Sequence, residues 1–276
     1  MSRLLAANFV RLKKSHAFLA EIIFMIFLGI YEPIVRYFDM KQSGEIFPLD
    51  NGFFLCVALL LILAAVLCSL YVGTEYSDGT IRNKVVVGRR RPAIYLANLI
   101  TCALADTVLC LLYFAAYLCV GLPLLGPFQA VLPQVAYYIL CTFLLSIAAS
   151  AIFTLAAMLI QSKAATVAVC LLGAFALLLA GSYIDSRLSE PETYPSFSLI
   201  TDGEVINEGE EPNPHYLRGT KRKVYEFFYD FLPGGQAVQI VSWTVARPWN
   251  PPLYAMIITA AATGCGVYAF NKKDLK

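Results

Sequence analysis

The sequence predicts an all-α polytopic membrane protein with six transmembrane helices. Of its 276 residues, 59% are hydrophobic and only 14% are charged, whereas a soluble domain carries about 25% charged residues. The mean hydropathy is +0.66. Several apolar stretches reach the roughly 20 residues that a helix needs to cross a bilayer. We therefore expect residues 1–276 to form a single transmembrane domain.

The first predicted element is an amphipathic helix over residues 1–15. Its apolar and basic side chains fall on opposite faces: Leu5, Phe9 and Leu12 against Arg3, Arg11 and Lys14. This pattern is typical of a helix that lies in the membrane interface. A disordered basic tail is the alternative. A cleaved signal peptide is disfavoured, because Glu21 interrupts the apolar run that follows.

Six apolar stretches are the predicted spans. They cover residues 16–38, 51–73, 93–120, 133–160, 164–184 and 251–270. We expect Glu32 and Pro33 to kink or shorten the first span, because an internal proline removes a helix hydrogen bond. Residues 107–162 contain no charged residue and are too long for one span, so the glycines and prolines of 121–127 predict a tight extracytoplasmic hairpin.

A long polar segment, residues 185–250, separates the fifth and sixth spans. It is acidic at first, then basic, and becomes strongly apolar and aromatic from Val224 to Trp243. Pro233, Gly234 and Gly235 divide this apolar part into two pieces that are too short to span a membrane. We expect two interfacial or re-entrant helices there.

The positive charges predict the orientation of the spans. The loop at residues 74–92 carries five cations, namely Arg82, Lys84, Arg89, Arg90 and Arg91. Short loops rich in Lys and Arg remain in the cytoplasm. With both termini on that side, 13 of the 21 cations lie in short cytoplasmic segments, and six of the other eight lie in the long segment. The prediction is a plasma-membrane protein with cytoplasmic N- and C-termini.

The same loop has the signals of a short helix. Asp78 or Thr80 can cap its start, and Gly79 permits a tight turn after the second span. Gly88 suits the end of the helix, and Pro92 suits the first turn of the next span. We therefore expect a short amphipathic helix across the ends of two spans.

Residues 75–84, Glu-Tyr-Ser-Asp-Gly-Thr-Ile-Arg-Asn-Lys, precede a basic cluster and resemble the first cytoplasmic loop of ABC-2-type transporter permeases. The ending at 270–276, Phe-Asn-Lys-Lys-Asp-Leu-Lys, adds to the resemblance. The family implies an N-terminal elbow helix and a coupling helix that docks into a separate ATPase. The residues that it assigns to this contact are Glu75, Asp78, Gly79, Thr80, Ile81, Arg82 and Lys84. The alternative is a basic loop that only sets topology and binds anionic lipid.

The resemblance also implies an assembly and an activity. Two cytoplasmic ATPase subunits would bind ATP and Mg, so that this chain holds no cofactor. A second copy or a paralogous permease would complete a dimer in a bacterial membrane. Export is implied by the family, and the apolar surface at 224–245 favours a hydrophobic or amphipathic cargo: a peptide toxin, a bacteriocin or a drug. The branch that exports phenol-soluble modulins is a candidate relative.

Motifs for other chemistry are missing from the sequence. There is no Walker A, His-Glu-x-x-His or Gly-x-Ser-x-Gly sequence, so we expect no enzymatic activity in this chain. The eight cysteines all fall in predicted spans without a Cys-x-x-Cys pair, and we expect neither disulfides nor a metal site. No basic surface interleaved with aromatic residues indicates nucleic-acid binding.

Two carboxylates inside the spans are candidates for a substrate path or a dimer seam: Glu21 and Asp106. A charge at mid-membrane is costly, so such a residue normally faces protein or water. Alternatively, Glu21 reaches the interface and Asp106 pairs with Thr101 or a tyrosine. Two other functions stay open: a secondary carrier, which predicts further intramembrane carboxylates, and a membrane immunity or sensor protein that binds a peptide without transporting it.

Overall fold

A computed structural model describes residues 1–195, 198–201, 204–207 and 210–274. Within these residues, six helices are long and apolar enough to cross a membrane, which confirms the predicted fold class. They are α2 (His16–Ser43), α3 (Cys56–Ser77), α5 (Arg91–Leu125), α6 (Leu132–Leu159), α7 (Lys163–Leu188) and α10 (Asn250–Lys272). Four shorter helices join them: α1 (Ser2–Lys13), α4 (Thr80–Val86), α8 (Gly219–Phe231) and α9 (Pro233–Val241).

The first span is longer than predicted. Helix α2 continues through Glu32 and Pro33 to Ser43 and ends at Gly44, whose φ of 75° is left-handed. The expectation that Pro33 shortens the span is therefore wrong. Glu32 and Pro33 are buried, and Glu32 pairs with Arg36 one turn later at 3.3 Å, so packing and pairing stabilise the helix on both sides of the proline.

Helix α5 has 35 residues and passes the predicted break at Gly121. Gly121 lies against α2 and the 44–55 loop, where a Cβ would come 2.6 Å from Leu49 Cδ1. The glycine therefore allows close packing and does not end the helix. The chain turns only at Gly126, which has a φ of 83°. The predicted hairpin is reduced to residues 126–131.

An aromatic cluster closes the end of the bundle that is remote from α4. Phe53 and Phe54 precede α3. Phe53 stacks on Phe114 of α5 with ring centroids 4.8 Å apart, and Phe54 meets Phe114 edge-on at 5.8 Å. Trp243, which follows α9, lies 4.9 Å from Phe54. These contacts explain why α3 begins at Cys56 and not at residue 51, because the preceding residues form turns under the cluster.

The segment between the fifth and sixth spans contains the two predicted helices, α8 and α9, which meet at Leu232. It also contains two antiparallel ribbons that were not predicted, β1 (Thr193–Pro195) with β4 (Glu210–Pro212) and β2 (Ser198–Thr201) with β3 (Glu204–Asn207). Helix α9 packs tightly on α7. A Cβ on Gly234 would lie 1.7 Å from the Leu177 carbonyl oxygen, so only glycine permits this approach.

Helix α3 lies at the centre of the bundle and contacts α2, α5, α6 and α7. Small residues allow other close contacts in α6 and α10. Ala148, Ala149, Ser150 and Ala151 of α6 are buried. In α10, Gly266 faces Tyr95 of α5 so closely that a Cβ would lie 2.1 Å from its hydroxyl oxygen. Small faces of this kind let helices approach in lipid.

Candidate functional site

The candidate site centres on Glu75, in the last turn of α3. Its side chain is fully buried and forms ion pairs with Arg11 of α1 and Lys84 of α4. The Asn98 side chain of α5 donates a 2.7 Å hydrogen bond to the second carboxylate oxygen. One carboxylate on α3 thus joins its own helix to α1, α4 and α5.

Asn8 of α1 extends this network. Its amide donates to Asn98 Oδ1 at 2.8 Å, and its own Oδ1 accepts from Lys84 Nζ at 3.1 Å. The Tyr71 hydroxyl donates to the Asn8 carbonyl at 2.9 Å, and the Arg11 guanidinium lies 3.8 Å from the Tyr71 ring centroid. We call these six residues the Glu75 network: Asn8, Arg11, Tyr71, Glu75, Lys84 and Asn98.

The charges of the network do not cancel, since two cations face one carboxylate. Burial lowers the pKa of Lys84, and the Glu75 carboxylate opposes that change. Arg11 Nη2 is buried and has no hydrogen-bond partner among the residues that the structure describes. Removing one partner of a buried ion pair costs roughly 3–5 kcal/mol, because the other charge is left uncompensated. Glu75 therefore fixes the relative positions of α1, α3, α4 and α5.

Helix α4 is bounded by a glycine at each end, and one of its faces packs on the core. Gly79, with a φ of 66°, occupies the N-cap position, and Gly88 has a φ of 83°. The expected side-chain cap from Asp78 or Thr80 is not formed, because the left-handed glycine takes that position. Ile81 is buried in the core, whereas Val86 and Val87 are 78% and 76% exposed.

The residues that the resemblance assigned to the ATPase contact separate into two groups. Glu75, Ile81 and Lys84 point into the protein, where Lys84 is half-buried, while Asp78 and Arg82 are exposed. The cations that pair with Glu75 are Arg11 and Lys84, and the exposed Arg82 is not one of them. Gly79 lies in the turn between α3 and α4, and Thr80 is the first residue of α4.

Sequence reasoning missed four members of the network: Asn8, Arg11, Tyr71 and Asn98. The predicted elbow helix is present as α1, but its buried residues are Leu4, Asn8 and Leu12, and not Leu5 and Phe9 with Leu12. The difference arises because polar Asn8 is drawn inward by Asn98 and Lys84. The sequence signal for this arrangement was a polar residue, Asn8, on the apolar side of the predicted helix.

A cavity of about 310 Å³ opens beside α4. It is lined by the end of α3, the exposed face of α4 and the turn before α7: Glu75, Tyr76, Ser77, Gly79, Ile81, Arg82 and Gln161. The C-terminal residues close one side of this region. Lys273 Nζ donates to the Met158 carbonyl at 3.0 Å, and burial lowers the pKa of Lys273 to about 8. Gln161 donates to the Asp274 carbonyl at 2.9 Å.

The two carboxylates inside the spans lie within the chain and not on its outer surface. Asp106 is 1% exposed and accepts a hydrogen bond from the Ser150 hydroxyl of α6. Thr101 is not its partner, because that hydroxyl donates to the Ala97 carbonyl of its own helix at 2.7 Å. Glu21 is 5% exposed, so the expectation that it reaches the interface is wrong.

Glu21 lies on α2, which packs along α5, the helix that carries Asp106. Both oxygens of Glu21 and Oδ1 of Asp106 lack a hydrogen-bond partner within the described part of the chain. Such unpaired buried carboxylate oxygens are costly in a membrane.

A bundle of six long apolar helices, with a short surface helix fixed to it by buried charges, is the architecture of a multi-pass membrane protein. Residues 4–177 match the family model described as "ABC-2 family transporter protein". Because this match covers more than half of the 276 residues, the chain belongs to the ABC-2 transporter family. The match includes the whole Glu75 network. No curated protein matches the chain.

Membership of the family establishes the coarse function. The chain is the transmembrane component of an ABC transporter, and such components work with ABC ATPase subunits. The resemblance drawn from residues 75–84 is thereby confirmed at the level of the family.

Proposed function

We propose that this permease belongs to an ATP-driven exporter of hydrophobic or amphipathic molecules, such as a peptide toxin, a bacteriocin or a drug. Two ATPase subunits, which bind ATP and Mg, would dock on the α4 side of a dimer formed with a second copy or a paralogue. The α4 side and both termini would face the cytoplasm of a bacterial cell.

The Glu75 network is the observation that carries the coupling proposal. Lys84 on α4 shares the Glu75 carboxylate with Arg11 of α1, and Asn98 of α5 donates to that same carboxylate. A displacement of α4 cannot occur without moving these side chains or separating buried charges. Movement of a docked ATPase would therefore reach two spans directly.

The exposed face of α4 supports the contact with the ATPase. Arg82, Val86 and Val87 lie on the surface, and Arg82 and Gln161 line the 310 Å³ cavity. An exposed pair of valines beside a cation is a plausible anchor for a partner surface, because such anchors combine apolar contact with a charge. Glu75, Ile81 and Lys84 would position this face from behind.

The apolar surface of α8 supports the proposed cargo. Val224, Phe227 and Phe228 are 44–47% exposed. Val224 and Phe228 line an apolar cavity of about 290 Å³ together with Tyr183 and Ile184 at the end of α7. A site of this composition suits a hydrophobic or amphipathic molecule and offers little to an ion or a sugar.

The coupling proposal predicts the effect of Arg82→Glu. The variant is expected to lose its ATPase during co-purification from detergent, because the reversed charge meets a surface selected for a cation. Arg3→Glu is the matched control, since Arg3 is an exposed cation on the same side of the bundle and should retain the ATPase. Ile81→Asp would be a poor probe, because Ile81 is 1% exposed and its loss would damage the core.

Three results would contradict the proposal. If Arg82→Glu and Arg3→Glu both co-purify with the ATPase at wild-type yield, α4 is not the contact and the loop only sets the topology. If the wild-type complex forms but binds an amphipathic peptide without ATP-dependent flux, the sensor or immunity function is favoured. Flux that collapses with an ionophore would favour a secondary carrier.

A further inference from the structure

A second cavity lies on the other side of the Glu75 network, where the elbow helix joins the first span. Its volume is about 370 Å³. Three permanent cations line it, Arg11, Lys14 and Lys163, together with His16 and one acidic residue, Asp78. The cavity is therefore electropositive. It shares Arg11 and Tyr71 with the Glu75 network, and the function proposed above assigns it no ligand.

The cavity is placed at the level of the membrane surface. Helices α2 and α7 begin at His16 and Lys163, so the cavity lies where these two spans enter the bilayer. Its inner wall is formed by Ala17, Leu70 and Tyr71. A site with cations at the rim and an apolar wall matches a molecule that is anionic at one end and apolar at the other.

Two of the three cations, Lys163 and Arg11, are held in position by contacts within the protein. A Cβ on Gly73 would lie 3.1 Å from Lys163 Cγ, so the aliphatic part of Lys163 packs on α3. Arg11 uses one guanidinium nitrogen to pair with Glu75, while Nη2 is buried and has no partner among the described residues. Arg11 thus has donor capacity left for a ligand. The first turns of α2 and α7 add partial positive charge.

We propose that this cavity binds the phosphodiester headgroup of an anionic phospholipid. The phosphate would form ion pairs with Arg11, Lys14 and Lys163. The glycerol and first acyl carbons would pack against Leu70 and Tyr71. The lipid would rest against Arg11, which holds Glu75, so an anionic lipid would stabilise the junction of α1, α2 and α3.

The test uses the purified, delipidated full chain in neutral detergent. One-to-one adducts are measured by native mass spectrometry with phosphatidylglycerol and with phosphatidylcholine of the same acyl chains. Phosphatidylglycerol is expected to bind saturably and more tightly than phosphatidylcholine. Lys14→Gln and Lys163→Gln should each weaken its binding about fivefold, which is the contribution of a typical cation near the membrane surface. Asp78→Asn should strengthen it.

Lys13→Gln is the matched control, because Lys13 is an exposed cation on α1 that does not line the cavity. This variant should bind phosphatidylglycerol as tightly as the wild type does. Equal weakening by Lys13→Gln, or no weakening by Lys14→Gln and Lys163→Gln, would overturn the proposal. Displacement of phosphatidylglycerol by equimolar glycerol phosphate would overturn the lipid source in favour of a soluble phosphate. The assay needs no ATPase, so its outcome is independent of the coupling test.

Discussion

Asp106 is a buried carboxylate whose hydrogen bonds are incomplete. Only one of its carboxylate oxygens is satisfied, by Ser150, and the neighbouring Glu21 has no hydrogen-bond partner in the described residues. Buried structural carboxylates are normally paired or fully hydrogen-bonded. A role of this pair in the transport cycle is therefore a prediction, which substitution of either carboxylate tests.

The residue-scale prediction concerns Asp106→Asn. The amide oxygen can still accept the Ser150 hydrogen bond, and the substitution removes a buried carboxylate, so the thermal unfolding midpoint in detergent should not fall. ATP-dependent efflux of an amphipathic peptide is expected to change severalfold. Thr101→Val is the control, since that hydroxyl bonds only within its own helix turn, and its efflux should match the wild type.

Efflux that is unchanged in Asp106→Asn at normal expression would assign Asp106 a structural role. Glu21→Gln offers an independent check, because Glu21 lies on the adjacent helix without a partner. If the two carboxylates act together, either single substitution should have about the same effect as the double substitution.

Helix α4 is the element on which prediction from sequence succeeded in part. The glycines at 79 and 88 bracket the helix as expected, because only glycine adopts their left-handed backbone at low cost. The resemblance of the chain to ABC-2-type permeases was drawn mainly from residues 75–84, which include the first part of this helix. The side-chain pairings were not predictable, since Asn8 and Asn98 are 90 residues apart and meet only through the packing of α1 on α5.

The element-scale prediction is a double-mutant cycle on Glu75 and Lys84. Glu75→Gln leaves Arg11 and Lys84 buried without their counterion and should cost roughly 3–5 kcal/mol of the free energy of unfolding. Lys84→Met is expected to be milder, because Arg11 still pairs with Glu75. The double variant should be more stable than the sum of the single costs predicts, since it removes one of the two unpaired cations.

Denaturant unfolding in detergent, followed by circular dichroism, measures the cycle. Arg82→Gln serves as the control, because this exposed residue of the same helix should change stability by no more than about 0.5 kcal/mol. Strict additivity of the Glu75 and Lys84 costs would show that the two residues do not interact, and the network could not transmit a movement of α4.

At the scale of the whole molecule, composition alone determined the fold class, because long apolar stretches in a bilayer can only become helices. The helix ends were less predictable. Pro33 and Gly121 predict breaks in the helices, yet both residues are buried at packed contacts and the helices continue past them. The ribbon of β2 and β3 had a sequence signal that was missed, because Asp-Gly at 202–203 separates the two strands and is typical of a two-residue hairpin.

The last prediction concerns orientation, which rests on the distribution of charge. The α4 side carries Arg89, Arg90 and Arg91, whereas the opposite side carries the 185–250 segment. Moving that cluster of arginines across a membrane is opposed by the positive-inside rule. A cysteine introduced by Glu192→Cys should therefore react with a membrane-impermeant maleimide on intact cells, and a cysteine introduced by Arg89→Cys should react only after permeabilisation.

Both positions are exposed, so access to the reagent depends on the side of the membrane and not on burial. The background is a variant without Cys119 and Cys265, which are exposed, while the other six cysteines are buried. Labelling of the Arg89→Cys variant on intact cells would show that the topology is the inverse of the predicted one. The α4 surface would then face away from a cytoplasmic ATPase, and the coupling proposed for the Glu75 network would fail with it.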